Sequence, residues 1–168
     1  MFPNRGGIFM TNQKMAAVLK TVILFLSVLG VGLFAGVVPA GLYLFVDQFP
    51  EFHPFFYPWL IFLSVFSVPL FVILGFGLAI AKEIGNDNSF SSQNVRYLSG
   101  ISVCLLADSG YFFAGNLVLW VLNLNYPIVV LFAIALCLFA VTISATVRVL
   151  AQLVNKAVRM REENEAII

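Results

Sequence analysis

The chain has 168 residues, of which 61% are hydrophobic and 10% are charged, and its net charge is +1 at pH 7. A soluble domain carries about 25% charged residues, and a chain of this size buries only about 70% of its extended surface, so much of the apolar surface must face lipid. The near-neutral charge also excludes the broad basic surface that direct binding of nucleic acid requires.

Four apolar runs are each long enough to cross the hydrocarbon core of a bilayer, which takes about 20 residues of helix. They cover residues 21–46, 55–81, 98–122 and 128–147. The ten-residue alternation of membrane β-barrel strands is not seen. The sequence therefore predicts an all-α fold. The predicted fold is an integral membrane four-helix up-down bundle over residues 21–147, with a cytoplasmic N-terminal segment (1–20) and a cytoplasmic amphipathic C-terminal helix and tail (148–168).

The spans contain prolines and small residues that bear on their packing. The first run is too long for the apolar core of a signal peptide, which has about 7–15 residues, so we expect it to remain a span. Pro39 and Pro69 are expected to kink the first and second spans, because proline lacks the N–H that a helical turn requires. Close helix packing is expected along small residues four apart, at Gly32 and Gly36, Gly75 and Ala79, Ala133 and Cys137, and Ala140 and Ser144.

The basic residues indicate the orientation. All nine lysines and arginines lie before the first span, between the second and third, or after the fourth, and the loops at 47–54 and 123–127 contain none. The positive-inside rule then predicts a cell-membrane protein with both termini in the cytoplasm. Aromatic residues in or near the two outer loops are expected to anchor the headgroup region; they are Phe49, Phe52, Phe55, Phe56, Tyr57, Trp59, Trp120 and Tyr126.

The two longest polar segments are predicted to lie inside. In the inner hairpin, Ser91 has the position and chemistry of a helix N-cap, so the third helix is expected to begin near Ser92 and to protrude into the cytoplasm. The tail should continue the fourth helix, with one apolar face made of Leu150, Leu153, Val154, Ala157 and Met160. Its end is acidic and then apolar, which fits either a docking segment or a solvated tail.

Two motifs resemble a bacterial family of small four-span proteins, the domain-of-unknown-function family numbered 2975. One is Phe90-Ser91-x-x-Asn94-Val95, and the other is the ending, with Arg161-Glu162-Glu163-Asn164-Glu165 where the family often has Lys-Glu-Glu-Asn-Asp. The final residues 166–168 depart from the usual Leu-Thr-Ile. Genes of this family commonly neighbour one for a small helix-turn-helix regulator. The resemblance thus implies a membrane partner for a cytoplasmic transcription regulator, without a known activity.

Asp108 is the most informative residue within the membrane. It lies near the middle of the third span, where an ionisable group costs about 2.5–3.5 kcal/mol on insertion scales, so it should face the bundle interior, where the neutral acid is favoured. Hydroxyls of the fourth span are the expected hydrogen-bond partners, namely Thr142, Ser144 and Thr146. A second polar position, Asn116, lies further along the same span. Asp108 is either a proton or cation site or a structural acid that fixes helix register.

No pattern of catalytic, metal-ligating or phosphate-binding residues occurs, so we expect neither an enzyme nor a cofactor. The leading hypothesis is a regulator or scaffold that binds a cytoplasmic protein partner, such as a small helix-turn-helix transcription regulator, through its inner loop and tail. The alternative is a small transporter, channel or immunity-type protein that uses Asp108. The sequence leaves homo-oligomerisation open. The expected partner-binding residues are Phe90, Ser91, Asn94, Arg96, Arg161, Glu162, Glu163, Asn164 and Glu165.

Overall fold

The computed structural model describes residues 12–165 and is almost entirely helical over that range. Four helical segments are long and apolar enough to cross a membrane, and they cover Asn12–Gln48, Pro50–Gly85, Ser92–Val121 and Pro127–Asn164. No strand occurs in the described part of the chain. The predicted all-α membrane fold with four spans is therefore confirmed.

Five α-helices and two short irregular helices build these spans. The α-helices are α1 (Asn12–Val31), α2 (Val38–Gln48), α3 (Phe56–Gly85), α4 (Ser92–Val121) and α5 (Pro127–Glu165). A π-helical segment, Gly32–Val37, joins α1 to α2, and a 3₁₀ helix, Pro50–Phe55, leads into α3. At several ends the helices extend beyond the predicted apolar runs. The tail is continuous with the fourth span, as expected.

The first span is irregular just before Pro39. Proline has no N–H for a bond to the preceding turn. The backbone there widens into a π-helical segment, and the N–H of Val38 donates to the carbonyl of Leu33, five residues earlier. In contrast, α3 continues through Pro69 as one helix. The two prolines thus have different local effects.

The helices pack in chain order. In the described residues α1 packs on α3, α3 on α4 and α4 on α5, while no Cα atom of the first span comes within 8 Å of one in α5. The arrangement therefore has two outer members, the first span and α5. Their large apolar side chains are extensively exposed. In a protein of this composition, lipid is the medium that covers such surfaces.

Aromatic rings placed over glycines form the contacts of α4 with α3. The ring of Phe76 lies so close to Gly100 that an added Cβ would meet a ring carbon at 2.9 Å, and Phe62 covers Gly115 in the same way. The close packing expected at Gly32, Gly36 and Gly75 was wrong, because all three face open space, although the nearby Gly30 of the first span does lie against the ring of Phe71. The expected stripe of α5 is confirmed, since it packs on α4 with Ala133 and Ser144 buried.

Candidate functional site

The loop between α3 and α4, residues 86–91, is called the inner loop after its predicted side of the membrane, and it is held by its own polar residues. The backbone N–H of Asn94 donates to Ser91 Oγ at 3.2 Å, which confirms Ser91 as the N-cap of α4. The side-chain amide of Asn94 donates to the carbonyls of Ser89 (2.9 Å) and Asn88 (3.3 Å). Asp87 takes a positive φ of 57°, a conformation that aspartate tolerates in turns. These bonds fix the path from α3 to α4.

Two further bonds connect this loop to helix ends. Asn12 at the start of α1 donates to Asp87 Oδ1 at 2.7 Å. Asn88 donates to Glu83 Oε2 at 2.6 Å. The inner ends of α1, α3 and α4 are therefore tied together through the loop, which presents a defined surface beside the tail.

A groove of about 260 Å³ separates the inner loop from the tail helix. The loop side contributes Asn88, Phe90, Ser91 and Ser92, and α5 contributes Val158, Arg161 and Glu162. The ring of Phe90 in this groove is 56% exposed. The structure thus brings together four residues that were predicted separately from the loop and the tail: Phe90, Ser91, Arg161 and Glu162.

The other predicted partner-binding residues lie outside this groove. Asn94 is 3% exposed, so its side chain shapes the loop and is not available for a partner. Arg96 is exposed on the first turns of α4, and Glu163 and Asn164 are exposed near the end of α5. Glu165 is the last residue of α5. Its side chain and residues 166–168 lie outside the described part.

The apolar face predicted for the tail is largely not its packed face. Ala151 and Val158 are buried, and Val154 is half-buried, so these residues turn toward the rest of the protein. Leu150, Leu153 and Met160 are 48–60% exposed. The prediction missed the packed face because it followed the larger apolar residues, whereas the buried positions of the tail are the small Ala151 and Val158.

Asp108 lies within two residues of the middle of α4 and is 4% exposed. One carboxylate oxygen, Oδ1, is fully buried and has no hydrogen-bond partner, and the same holds for the hydroxyl of its neighbour Ser109. Both residues line a cavity of about 250 Å³ between α3, α4 and α5. Buried polar atoms are normally paired, so two unpaired ones side by side mark this cavity as unusual.

The hydroxyls that were expected to bond Asp108 bond elsewhere. Ser144 Oγ donates to the carbonyl of Ser102 at 2.8 Å, and the two serine hydroxyls lie 3.0 Å apart. Thr142 and Thr146 donate to carbonyls of their own helix. That expectation was wrong because the antiparallel register of α4 and α5 places Cys137, not a hydroxyl residue, beside Ser109, where its Sγ lies 3.4 Å from the Ser109 carbonyl.

Asn116 is fully buried and belongs to an outer network. Its side chain donates to the carbonyl of Phe112 at 2.8 Å and accepts from Asn125 Nδ2 at 3.0 Å. Asn125 in turn accepts from the backbone N–H of Tyr126. Asn125 was missed from the sequence, although an asparagine in a short loop is a known turn signal. Asn116 therefore connects α4 to the loop that precedes α5.

The outer ends of the two hairpins are joined by aromatic residues. Trp59 Nε1 donates to the carbonyl of Leu124 at 2.8 Å, and the rings of Phe52 and Tyr126 are 6.3 Å apart. A smaller pocket there is lined in part by Asp47 and His53, both exposed. In the described part of the chain, no group of three or more His, Cys, Asp or Glu side chains could hold a metal ion.

The four long helices show what class of protein this is. Four long apolar helices make this a multi-pass, membrane-spanning type of protein. A family model described as Protein of unknown function (DUF2975) matches residues 43–168, three quarters of the chain, and the chain belongs to that family. This match confirms the resemblance seen in the motifs. No curated protein and no solved structure matches the chain.

Proposed function

We propose that this protein is a non-enzymatic membrane regulator or scaffold whose inner surface binds a cytoplasmic protein, with a small helix-turn-helix transcription regulator as the candidate partner. The observation that supports it is the groove between the inner loop and the tail. Residues far apart in sequence, Phe90 and Glu162, line the same cavity. They come from the two segments that carry the motifs of the family.

The groove has the mixed chemistry of a protein-binding surface. Phe90 offers an exposed aromatic ring, and aromatic residues are enriched at the centres of interfaces. Polar lining from Ser91, Ser92 and Glu162 surrounds it. Beside it, α5 presents the exposed apolar residues Leu153 and Met160. An exposed apolar stripe at the polar end of a membrane helix favours either a protein partner or the membrane interface.

The inner surface is also formed without a partner present. The loop is fixed by the Ser91 cap and by the Asn94 side chain, and α5 remains helical up to Glu165. A preformed surface loses less entropy on binding than a disordered one. The groove therefore supports binding without a folding step in the tail up to Glu165.

The experiment uses the full chain in lipid nanodiscs and, as the candidate partner, a small helix-turn-helix regulator from the same organism, with affinity measured by biolayer interferometry. Phe90→Ala should weaken binding about tenfold or more, as truncation of an interface anchor does. A truncation after Met160 should abolish it. The matched control is Tyr57→Ala, which removes an exposed aromatic ring at the opposite end and should leave the affinity unchanged. Binding that survives both inner changes, or no binding to the full chain, would overturn the proposal.

A second candidate function rests on Asp108. A buried carboxyl with an unpaired oxygen in the middle of a membrane helix supports a small transporter, channel or immunity-type protein, in which this acid handles a proton or a cation. The Asp108→Asn variant separates the two candidates. It should abolish a transport function and leave the binding of the cytoplasmic regulator unchanged.

A further inference from the structure

We propose that the cavity at Asp108 is a binding site for a lipophilic organic cation, such as a hydrophobic quaternary ammonium or protonated amine. The proposal is independent of the inner surface and its protein partner. It starts from the two unpaired polar atoms, Asp108 Oδ1 and Ser109 Oγ, which are both buried. Both residues line a cavity of about 250 Å³, large enough for an aromatic ring and a small charged group.

The walls of the cavity are apolar and aromatic. Phe66 and Leu70 come from α3, Phe112 from α4, and Leu136 and Phe139 from α5. The rings of Phe66 and Phe112 contact each other with centroids 4.9 Å apart. Aromatic faces attract cations through the negative charge of their π systems. A ligand that fills this space must therefore be mostly apolar.

The charge of the ligand follows from the lining. Asp108 is the acid among the lining residues, and no lysine, arginine or histidine of the described chain lines the cavity. An ionised carboxylate without a counter-charge is costly in a medium of low dielectric constant. A cationic ligand supplies that counter-charge and faces the phenylalanine rings as well. A metal ion would not suit the site, because hard cations take about six or more oxygen ligands and most of this lining is hydrocarbon.

The cavity opens on the lipid side of the helices. Leu136 and Phe139 on its edge are 45% and 67% exposed, whereas Asp108 at its base is 4% exposed. A ligand therefore reaches the carboxyl from within the membrane, past apolar side chains. That route selects molecules that partition into lipid, which explains why a small hydrated cation is a poorer match than an organic one.

The test uses the full chain in nanodiscs of uncharged phosphatidylcholine and fluorine NMR. The probe is para-fluorobenzyltrimethylammonium, and its comparison is the uncharged isostere in which carbon replaces the nitrogen. The chain should bind the cation about tenfold or more tightly than the isostere, because only the cation gains the interaction with the Asp108 carboxylate. Asp108→Asn should remove this preference. The control Asp47→Asn, at the exposed outer end, should keep it.

A second variant guards against misfolding. Ala140 lines the cavity, so Ala140→Phe should fill it and abolish binding of both compounds. A chain truncated after Met160 should bind the cation like the full chain, which separates this proposal from the inner surface. Equal affinity for cation and isostere, a preference that persists in Asp108→Asn, or binding that survives Ala140→Phe would each overturn the proposal.

Discussion

At the scale of single residues, a pair of serines fixes the register of α4 and α5. Ser102 and Ser144 are buried and exchange hydrogen bonds across the interface at 2.8–3.0 Å. The double variant Ser102→Ala/Ser144→Ala should lower the free energy of unfolding by about 1 kcal/mol, since interhelical hydrogen bonds in membranes contribute about 0.6–1.7 kcal/mol. Unfolding in mixed detergent micelles measures it. Thr142→Ala, which removes a hydroxyl bonded within its own helix, should be close to neutral.

The glycines of α4 offer a second test at this scale. Phe62 lies against Gly115, so Gly115→Ala should destabilise the protein by about 1–3 kcal/mol through overpacking. A methyl group added at Gly110 in the same helix would meet nothing within 4 Å, and Gly110→Ala should be neutral or slightly stabilising. Unfolding in mixed detergent micelles compares the free energies of unfolding of the two variants. Equal effects of the two changes would show that the Phe62 contact does not limit packing.

From the sequence, the burial of Asp108 was predicted correctly, but its hydrogen-bond partners were not. The cost of a charge in lipid was enough to predict that Asp108 is buried, which the structure confirms. Its neighbours depend on how far α5 is shifted along α4, and the sequence alone does not give that register. In the same way, the sequence could not tell which glycine receives a phenylalanine, because Gly32 and Gly100 look alike until the helices are placed.

At the scale of elements, the start of α4 depends on one cap. Ser91→Ala removes the acceptor for the N–H of Asn94 and should cost about 1 kcal/mol. Hydrogen exchange of the amides of Asn94 and Val95 should become faster. Ser92→Ala changes an exposed neighbour that makes no cap, so exchange in that variant should match the original chain. Unchanged exchange in Ser91→Ala would contradict the role of the cap.

Element boundaries were predicted best where a specific chemical signal marks them. The Ser91 cap placed the start of α4 at Ser92, as found. The π-helical segment before Pro39 was anticipated only as a kink, because proline predicts a lost hydrogen bond but not how the backbone rearranges around it. The packed face of the tail was missed because its most buried position is the small Ala151, which carries little hydrophobic signal.

At the scale of the whole molecule, the charge distribution predicts the orientation. Asn86 lies in the loop at the end that carries the basic residues, and Glu51 lies at the opposite end, where the described loops contain no lysine or arginine. In a background with Cys104→Ala and Cys137→Ala, Glu51→Cys should react with a membrane-impermeant maleimide in intact cells. Asn86→Cys should react only after permeabilisation. Labelling of Asn86→Cys in intact cells would reverse the topology and remove the cytoplasmic surface.

The longest helix has a mechanical consequence. Between Pro127 and Glu165, α5 contains neither glycine nor an internal proline, so it has none of the residues at which helices usually bend. Cys137 beside the cavity and Val158 in the inner groove lie on this one rod, about 32 Å apart at 1.5 Å per residue. A tilt or axial shift of α5 at the cavity would therefore also move Val158, and with it one wall of the groove beside the inner loop.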